Sequence, residues 1–235
     1  MSKRCRAVRA DRGVVTERID IGHIVDLLST TDVHGERVAD IFCVLVRELA
    51  TGQPVAREQL AEILGWTRDE VVAALRQIQS MEFDSQGRIV GYGLTLRRTD
   101  HQMELAGRRL YTWCALDALM IPVMLGSVAK VQSLCAATGT AIRMTVCPEG
   151  VRDVDPDSAM VSLISPAANG EVRSAFCCRV QFFASSNIGM HWLGASSGVV
   201  MVGVREGFEL GRTLARDLNE RTRARAATRR LSAFR

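Results

Sequence analysis

The chain has 235 residues, with 47% hydrophobic and 24% charged residues, the balance of a folded protein large enough to bury a real core rather than of a disordered one. The net charge of +4 sits at the ends: five Lys/Arg against one Asp in residues 1–12, and eight Arg against two acids in residues 212–235, which leaves the body between them at −6. Such terminal charge is expected on solvated, frayed tails rather than on a duplex-binding face, so nucleic acid is not an expected partner.

No apolar run approaches the roughly 20 residues that span a bilayer, and no apolar stretch follows the basic start Met1–Arg6 as a secretory signal requires. A cytoplasmic location, with no membrane partner, is the expectation. The seven cysteines are Cys5, Cys43, Cys114, Cys135, Cys147, Cys177 and Cys178. An odd number in a reducing compartment argues against a disulfide framework and for free thiols. No CxxC pair or Cys/His zinc spacing occurs, and the four histidines are scattered, so no metal cofactor is expected.

In chain order, residues 1–18 read as a basic flexible extension. A short amphipathic helix is predicted at Asp20–Ser29, then a stronger one at Glu36–Ala50, with Val38, Ile41, Phe42, Leu45, Val46 and Leu49 forming a broad stripe. A helix at Arg57–Leu64 turns Leu60, Ile63 and Leu64 inward. The next begins at Thr67, whose spacing to Glu70 is that of a capping box. A turn at Asp84–Gly87 opens a hairpin. Together these elements outline a winged helix over residues 19–98. Its net charge over residues 36–98 is −1, and the would-be recognition helix begins Thr67-Arg-Asp-Glu70, which would repel phosphates.

Residues 99–235 read differently. A helix is predicted at Arg109–Leu119, strands at Ala129–Leu134, Ala141–Val146, Met160–Ile164, Arg179–Ala184 and Val199–Val202, and a closing helix at Arg205–Leu218 before an Arg-rich tail. Without regular strand–helix alternation, this half is expected to be mostly antiparallel, giving an α+β chain overall.

Two segments hold residues suited to chemistry. In Arg109–Asp117, Cys114 and Asp117 are three apart and share a face of the predicted helix. A thiol beside a carboxyl group is an odd core choice, but spacing alone favours the plainer reading of Cys114 as a small buried hydrophobe and Asp117 as a surface residue. In Ser174–Ala184, Cys177 and Cys178 alternate faces on a predicted strand, so both do not serve one site. Cys43 reads as core filling and Cys135 as structural, while Cys5 and Cys147 receive no role.

Several blocks in order resemble the organomercurial (alkylmercury) lyases of bacterial mercury-resistance operons: Arg-Arg-Leu-Tyr-Thr-Trp-Cys-Ala-Leu-Asp117, Cys-Ala-Ala-Thr-Gly139, Phe-Cys-Cys-Arg-Val-Gln-Phe-Phe-Ala-Ser185 and Gly-Tyr-Gly-Leu-Thr-Leu96. The resemblance covers about residues 20–220. It implies that Cys114 and Cys177 bind mercury as substrate and product, and that Asp117, with at most a weak contact to the metal, moves a proton from thiol to carbon. It also implies that Cys135 is structural and Cys178 dispensable. No cofactor is implied; external thiols and a mercuric reductase are expected to take the Hg(II). Soft thiolates suit an organic mercury cation, and a carboxyl that holds a proton near neutrality suits the acid role. Trp113 and the Phe182/Phe183 pair offer an apolar wall, though either reads equally as core. Nothing resembles a coiled-coil seam, so a monomer is expected.

Overall fold

The computed structural model describes residues 36–78, 80–164, 172–194 and 198–232. The predicted helix at Asp20–Ser29 and the basic extension lie outside these residues.

Three helices open the described chain: α1 (Glu36–Leu49), α2 (Arg57–Leu64) and α3 (Arg68–Arg76). The α1 stripe is as expected: Ile41, Leu45, Val46 and Leu49 are buried, and Val38 and Phe42 pack at the edge of the core. In α2 the two-turn helix buries only the narrow face of Leu60, Ala61 and Leu64. Ile63, expected inside, is 46% exposed because it lies beyond the edge of that face. Gly65 stops α2 in the left-handed conformation at φ 65° and donates its N–H to the preceding carbonyls. The capping box at α3 forms in both directions: Glu70 N–H reaches Thr67 Oγ1 at 3.2 Å and Thr67 N–H reaches Glu70 Oε2 at 2.9 Å.

A hairpin of β1 (Glu82–Phe83) and β2 (Ile89–Tyr92) follows, its turn organised by Asp84 Oδ1, which accepts from Gln86 and Arg88 backbone N–H groups at 2.9 Å. The chain continues through β3 (Leu94–Thr95), β4 (His101–Leu105) and β5 (Arg108–Thr112) into helix α4 (Ala115–Met124). Then come β6 (Ala129–Leu134), β7 (Ala141–Cys147), β8 (Gly150–Asp155) and β9 (Met160–Ile164). A short α5 (Val172–Ala175), a 3₁₀ turn (Cys177–Arg179), β10 (Phe182–Phe183), α6 (Ser186–Leu193), β11 (Val199–Gly203) and α7 (Val204–Ser232) complete it. One eight-stranded sheet has the order β1-β2-β3-β5-β4-β6-β7-β8, and a three-stranded sheet the order β10-β9-β11. The paired strands in both are antiparallel, the α+β arrangement expected.

Three expectations are corrected. The helix expected from Arg109 begins only at Ala115, because Arg108–Thr112 is a strand paired with His101–Leu105 across a tight turn where Ala106 and Gly107 both have positive φ. The strand expected at Arg179–Ala184 shrinks to Phe182–Phe183, and Cys177–Arg179 is a 3₁₀ turn instead. The tail expected to fray continues α7 to Ser232.

That helix, about 43 Å long at 1.5 Å per residue, packs along α4 through small residues. A Cβ on Gly211 would lie 3.3 Å from the Met120 backbone, and one on Gly207 would lie 3.3 Å from Leu119. Farther along, Arg225 donates to Asp40 Oδ1 through Nε at 2.9 Å and Nη2 at 2.8 Å, and Arg229 donates to Oδ2 at 3.0 Å. Asp40 is fully buried within α1, so its charge depends on these partners. No helix among the described residues is long and apolar enough to cross a membrane.

Removing one guanidinium leaves Asp40 buried and half compensated. Arg225→Ala is expected to lower stability by roughly 2–3 kcal/mol in urea unfolding. Asp40→Ala should cost much less in that background than alone; additive losses would show that the two groups are not coupled.

Candidate active site

Three predicted residues meet. The Cys114 and Cys177 sulfurs and an Asp117 carboxylate oxygen lie within 4.8 Å of one another, and all three residues are buried. They arrive from different elements. β5 ends at Thr112, whose Oγ1 donates to the Cys114 carbonyl at 3.0 Å and fixes the turn into α4. Cys114 is not within the helix, as spacing suggested, but is its N-cap, in an extended conformation at φ −146°. Its sulfur accepts the Asp117 N–H at 3.4 Å, and its S–H donates to Asp117 Oδ2 at 3.1 Å. The pair is a thiol version of the capping arrangement.

Cys177 comes from the 3₁₀ turn. That turn is stitched to the start of α4 by the Ala115 N–H, which reaches the Val180 carbonyl at 3.0 Å. It is tied to β9 by Ser162 Oγ, which donates to the Arg179 carbonyl at 2.7 Å. Gln181 Nε2 donates to the Cys177 carbonyl at 3.2 Å. Cys178, next in sequence, is only half-buried and is not among the three clustered groups.

The site opens on a cavity of about 150 Å³. It is lined by Phe42 of α1, Tyr92 and Gly93 at the end of β2, Trp113 and Phe176, Leu116 and Met120 of α4, and Leu214 and Leu218 of α7. Tyr92 meets Phe42 and Trp113 edge-on at ring separations of 5.6 Å and 5.5 Å. The Arg173 guanidinium lies 4.6 Å from the Trp113 ring centre and is ion-paired with Glu82. Gly93 has φ 72°, and a Cβ there would be 2.8 Å from Phe42 and 3.5 Å from Asp117 Oδ1, so only glycine fits beside the carboxyl.

Of the expected apolar wall, Trp113 lines the cavity, whereas Phe182 and Phe183 are fully buried core and do not. Sequence reasoning did not single out Phe42, Tyr92, Gly93, Phe176, Leu214 or Leu218 as pocket residues. The one available signal was Gly-Tyr-Gly93, a strand end carrying two glycines.

Burial sets the protonation states. It pushes Asp117 up to about 6, against the opposing hydrogen bonds from Cys114. Burial also raises the Cys114 thiol well above its ordinary value, helped by the hydrogen bond with Cys177 and the Asp117 charge. Tyr92 is raised to about 12 by burial and by the nearby Cys177 and Asp117, so its hydroxyl stays protonated. His101 is occupied elsewhere, 2.7 Å from Ser133 Oγ and against Phe182, and burial holds its pKa near 4. Cys135, buried after β6, is subject to a burial penalty. That penalty is outweighed by hydrogen bonds from Thr138 and the Ala184 and Ala137 backbone, which lower its pKa.

Residues 94–216 match the family model described as alkylmercury lyase, and residues 22–93 match the helix-turn-helix domain of alkylmercury lyase. The chain belongs to the alkylmercury lyase family. Among curated relatives, the alkylmercury lyase of Pseudomonas putida is 46% identical over 187 residues, covering 80% of this chain and 88% of its own. Those of Staphylococcus epidermidis (42%; 80% and 88%) and Streptomyces lividans (44%; 74% and 81%) are similar. The fold matches the crystal structure of the mercury-bound form of MerB2 with a TM-score of 0.71 at 22% identity, over 84% of this chain and 98% of that one. As an organomercurial lyase, the protein serves mercury detoxification. Residues 217–235, the distal part of α7 included, lie beyond both family models.

The raised Asp117 makes a pH prediction for this lyase. The folded state holds that proton up to about pH 6, whereas the unfolded chain releases it near the ordinary 3.8. Between those values the folded state binds more protons, so this residue's contribution to stability falls as pH rises. Asp117→Asn is therefore expected to be more stable than the wild type at pH 8, by on the order of 2 kcal/mol. Urea midpoints should converge as pH drops below about 4. A constant difference across the range would contradict a buried, protonatable Asp117.

Proposed function

We propose that Cys114 and Cys177 are the mercury ligands of the lyase reaction and that Asp117 is its proton shuttle. The observation that supports this best is the buried Cys114 S–H donating to Asp117 Oδ2 at 3.1 Å, with Cys177 completing a cluster 4.8 Å across.

The chemistry follows from these positions. An organomercurial arrives as R–Hg–SR′ on a carrier thiol. Asp117, a carboxylate above its raised pKa of about 6, accepts the Cys114 proton as the sulfur binds mercury. The new thiolate sits at the N-terminus of α4, where the helix end favours negative charge. The second cysteine also binds the metal, and R′SH departs with one of the two thiol protons. Two thiolates on one mercury push electron density onto the carbon. Asp117, now a carboxylic acid in an apolar pocket, delivers the other proton to that carbon. R–H leaves, and Hg(II) remains bridged between two sulfurs. Two thiol protons account for both products, and no electrons are transferred.

Two external thiols then exchange for the cysteine sulfurs and carry Hg(II) away, with a mercuric reductase as the acceptor. The working form is a cytoplasmic monomer. Residues 19–98 act as a winged-helix scaffold and residues 99–235 carry the catalytic groups.

Headspace gas chromatography after mixing with methylmercury and excess thiol tests the assignment. The wild type should release methane and Cys114→Ser or Cys177→Ser none. Asp117→Ala should still bind mercury stoichiometrically but release methane at least about 100-fold more slowly. Full turnover by Asp117→Ala would remove it from the mechanism.

A further inference from the structure

The carbon to be protonated must lie within reach of the Asp117 carboxyl while its mercury sits on the two sulfurs. The organic group therefore points away from the sulfurs, into the rest of the cavity. Most of that space has fixed walls. In the edge-on stack of Phe42, Tyr92 and Trp113, Trp113 is core and the other two pack against it, and Leu116 and Met120 of α4 are core as well. Besides Phe176, the remaining lining comes from α7, which presents Leu214 and Leu218. Four residues apart on a helix, they share one face.

Helix α7 cannot easily shift to suit a ligand. Its Gly211 rests on the Met120 backbone. Asn219 Nδ2 donates to the Met124 carbonyl at 3.0 Å, and Arg225 and Arg229 hold Asp40 of α1. The wall stands at a set distance from Asp117. The cavity volume is about 150 Å³, the size at which an apolar protein cavity takes up benzene. A methyl group leaves most of it empty, and a single ring occupies most of it.

We propose that Leu214 and Leu218 are the residues that set which organic groups this lyase accepts, and that the pocket they close is dimensioned for one aryl ring. The proposal rests on the assignment of Cys114, Cys177 and Asp117 above. Leu218 is the better position to alter, because it is only partly buried whereas Leu214 belongs to the core.

The test is kcat/KM for methylmercury, phenylmercury and 1-naphthylmercury with excess thiol, read as released hydrocarbon. Leu218→Phe is expected to lower the ratio of the phenylmercury value to the methylmercury value roughly tenfold or more, the scale of discrimination that ring-sized crowding gives. Leu218→Ala is expected to raise 1-naphthylmercury roughly tenfold relative to methylmercury. Should Leu218→Phe fail to bind Hg(II) stoichiometrically, the alanine variant alone decides. Unchanged substrate ratios in a turning-over variant, or an equal fall for all three substrates, would overturn the proposal while leaving the lyase assignment standing. Wild-type protein that releases no hydrocarbon from any of the three would take down the site assignment and this inference with it.

Discussion

A carboxyl group and a thiol buried against each other at the first turn of one helix form the constraint around which this molecule is organised. In water, Asp117 would have an ordinary carboxyl pKa of about 4 and be too weak a base to take up and hold a thiol proton. Against Leu116, Met120, Trp113 and Phe42 its pKa rises to about 6, and burial raises the Cys114 thiol as well. The cost of that burial is carried by the rest of the fold. The turn from β5 into α4 fixes Cys114 as the N-cap, and the backbone bond from Ala115 to Val180 brings a second sulfur from a distant stretch of chain. Both sulfurs are placed by hydrogen-bonded backbone, an N-cap and a 3₁₀ turn, the kind of support a site with tolerances of about half an ångström demands.

The helix-turn-helix unit takes part in the same arrangement. Phe42 of α1, Tyr92 and Gly93 wall the cavity, so the faces of this unit that are turned inward serve the pocket. The last helix then closes it from the far end of the chain. Helices from both extremes are joined at Asp40, a buried carboxylate with two arginines. Breaking that junction would loosen α7 and, with it, the wall formed by Leu214 and Leu218.

Much of the framework was legible in the sequence because its cues are local. The α1 stripe, the Thr67–Glu70 capping box and the Asp84–Gly87 turn each depend on neighbours within a few residues, and β6 and β9 were bounded to the residue by alternation and turn signals. The failures have the opposite character. Arg108–Thr112 is a strand because His101–Leu105 lies beside it, and its Leu-Tyr-Thr run is compatible with either state until that partner is known. Cys177–Arg179 looked like a strand because Phe182 and Phe183 are strand-forming and buried; the 3₁₀ turn is imposed by Ser162 and by the start of α4. The arginine-rich end looked like a solvated tail because the carboxylate that orders it lies in α1. Spacing alone left Cys114 as a core thiol. The resemblance picked out the three site residues, but their mutual geometry, an N-cap sulfur rather than two residues on a helix face, was not written in any local pattern.

Asp40 and Arg225 are 185 residues apart. During synthesis the N-terminal portion is made first and the end of α7 last. The strands and α4 can assemble around Cys114 and Cys177 before the closing wall exists, and a long-range contact of this kind is among the slower ones to form. A chain still being made therefore carries Cys114 and Cys177 without the helix whose Leu214 and Leu218 later line their cavity. Completion of the last helix is the moment at which an open pair of thiols acquires the final wall of its cavity.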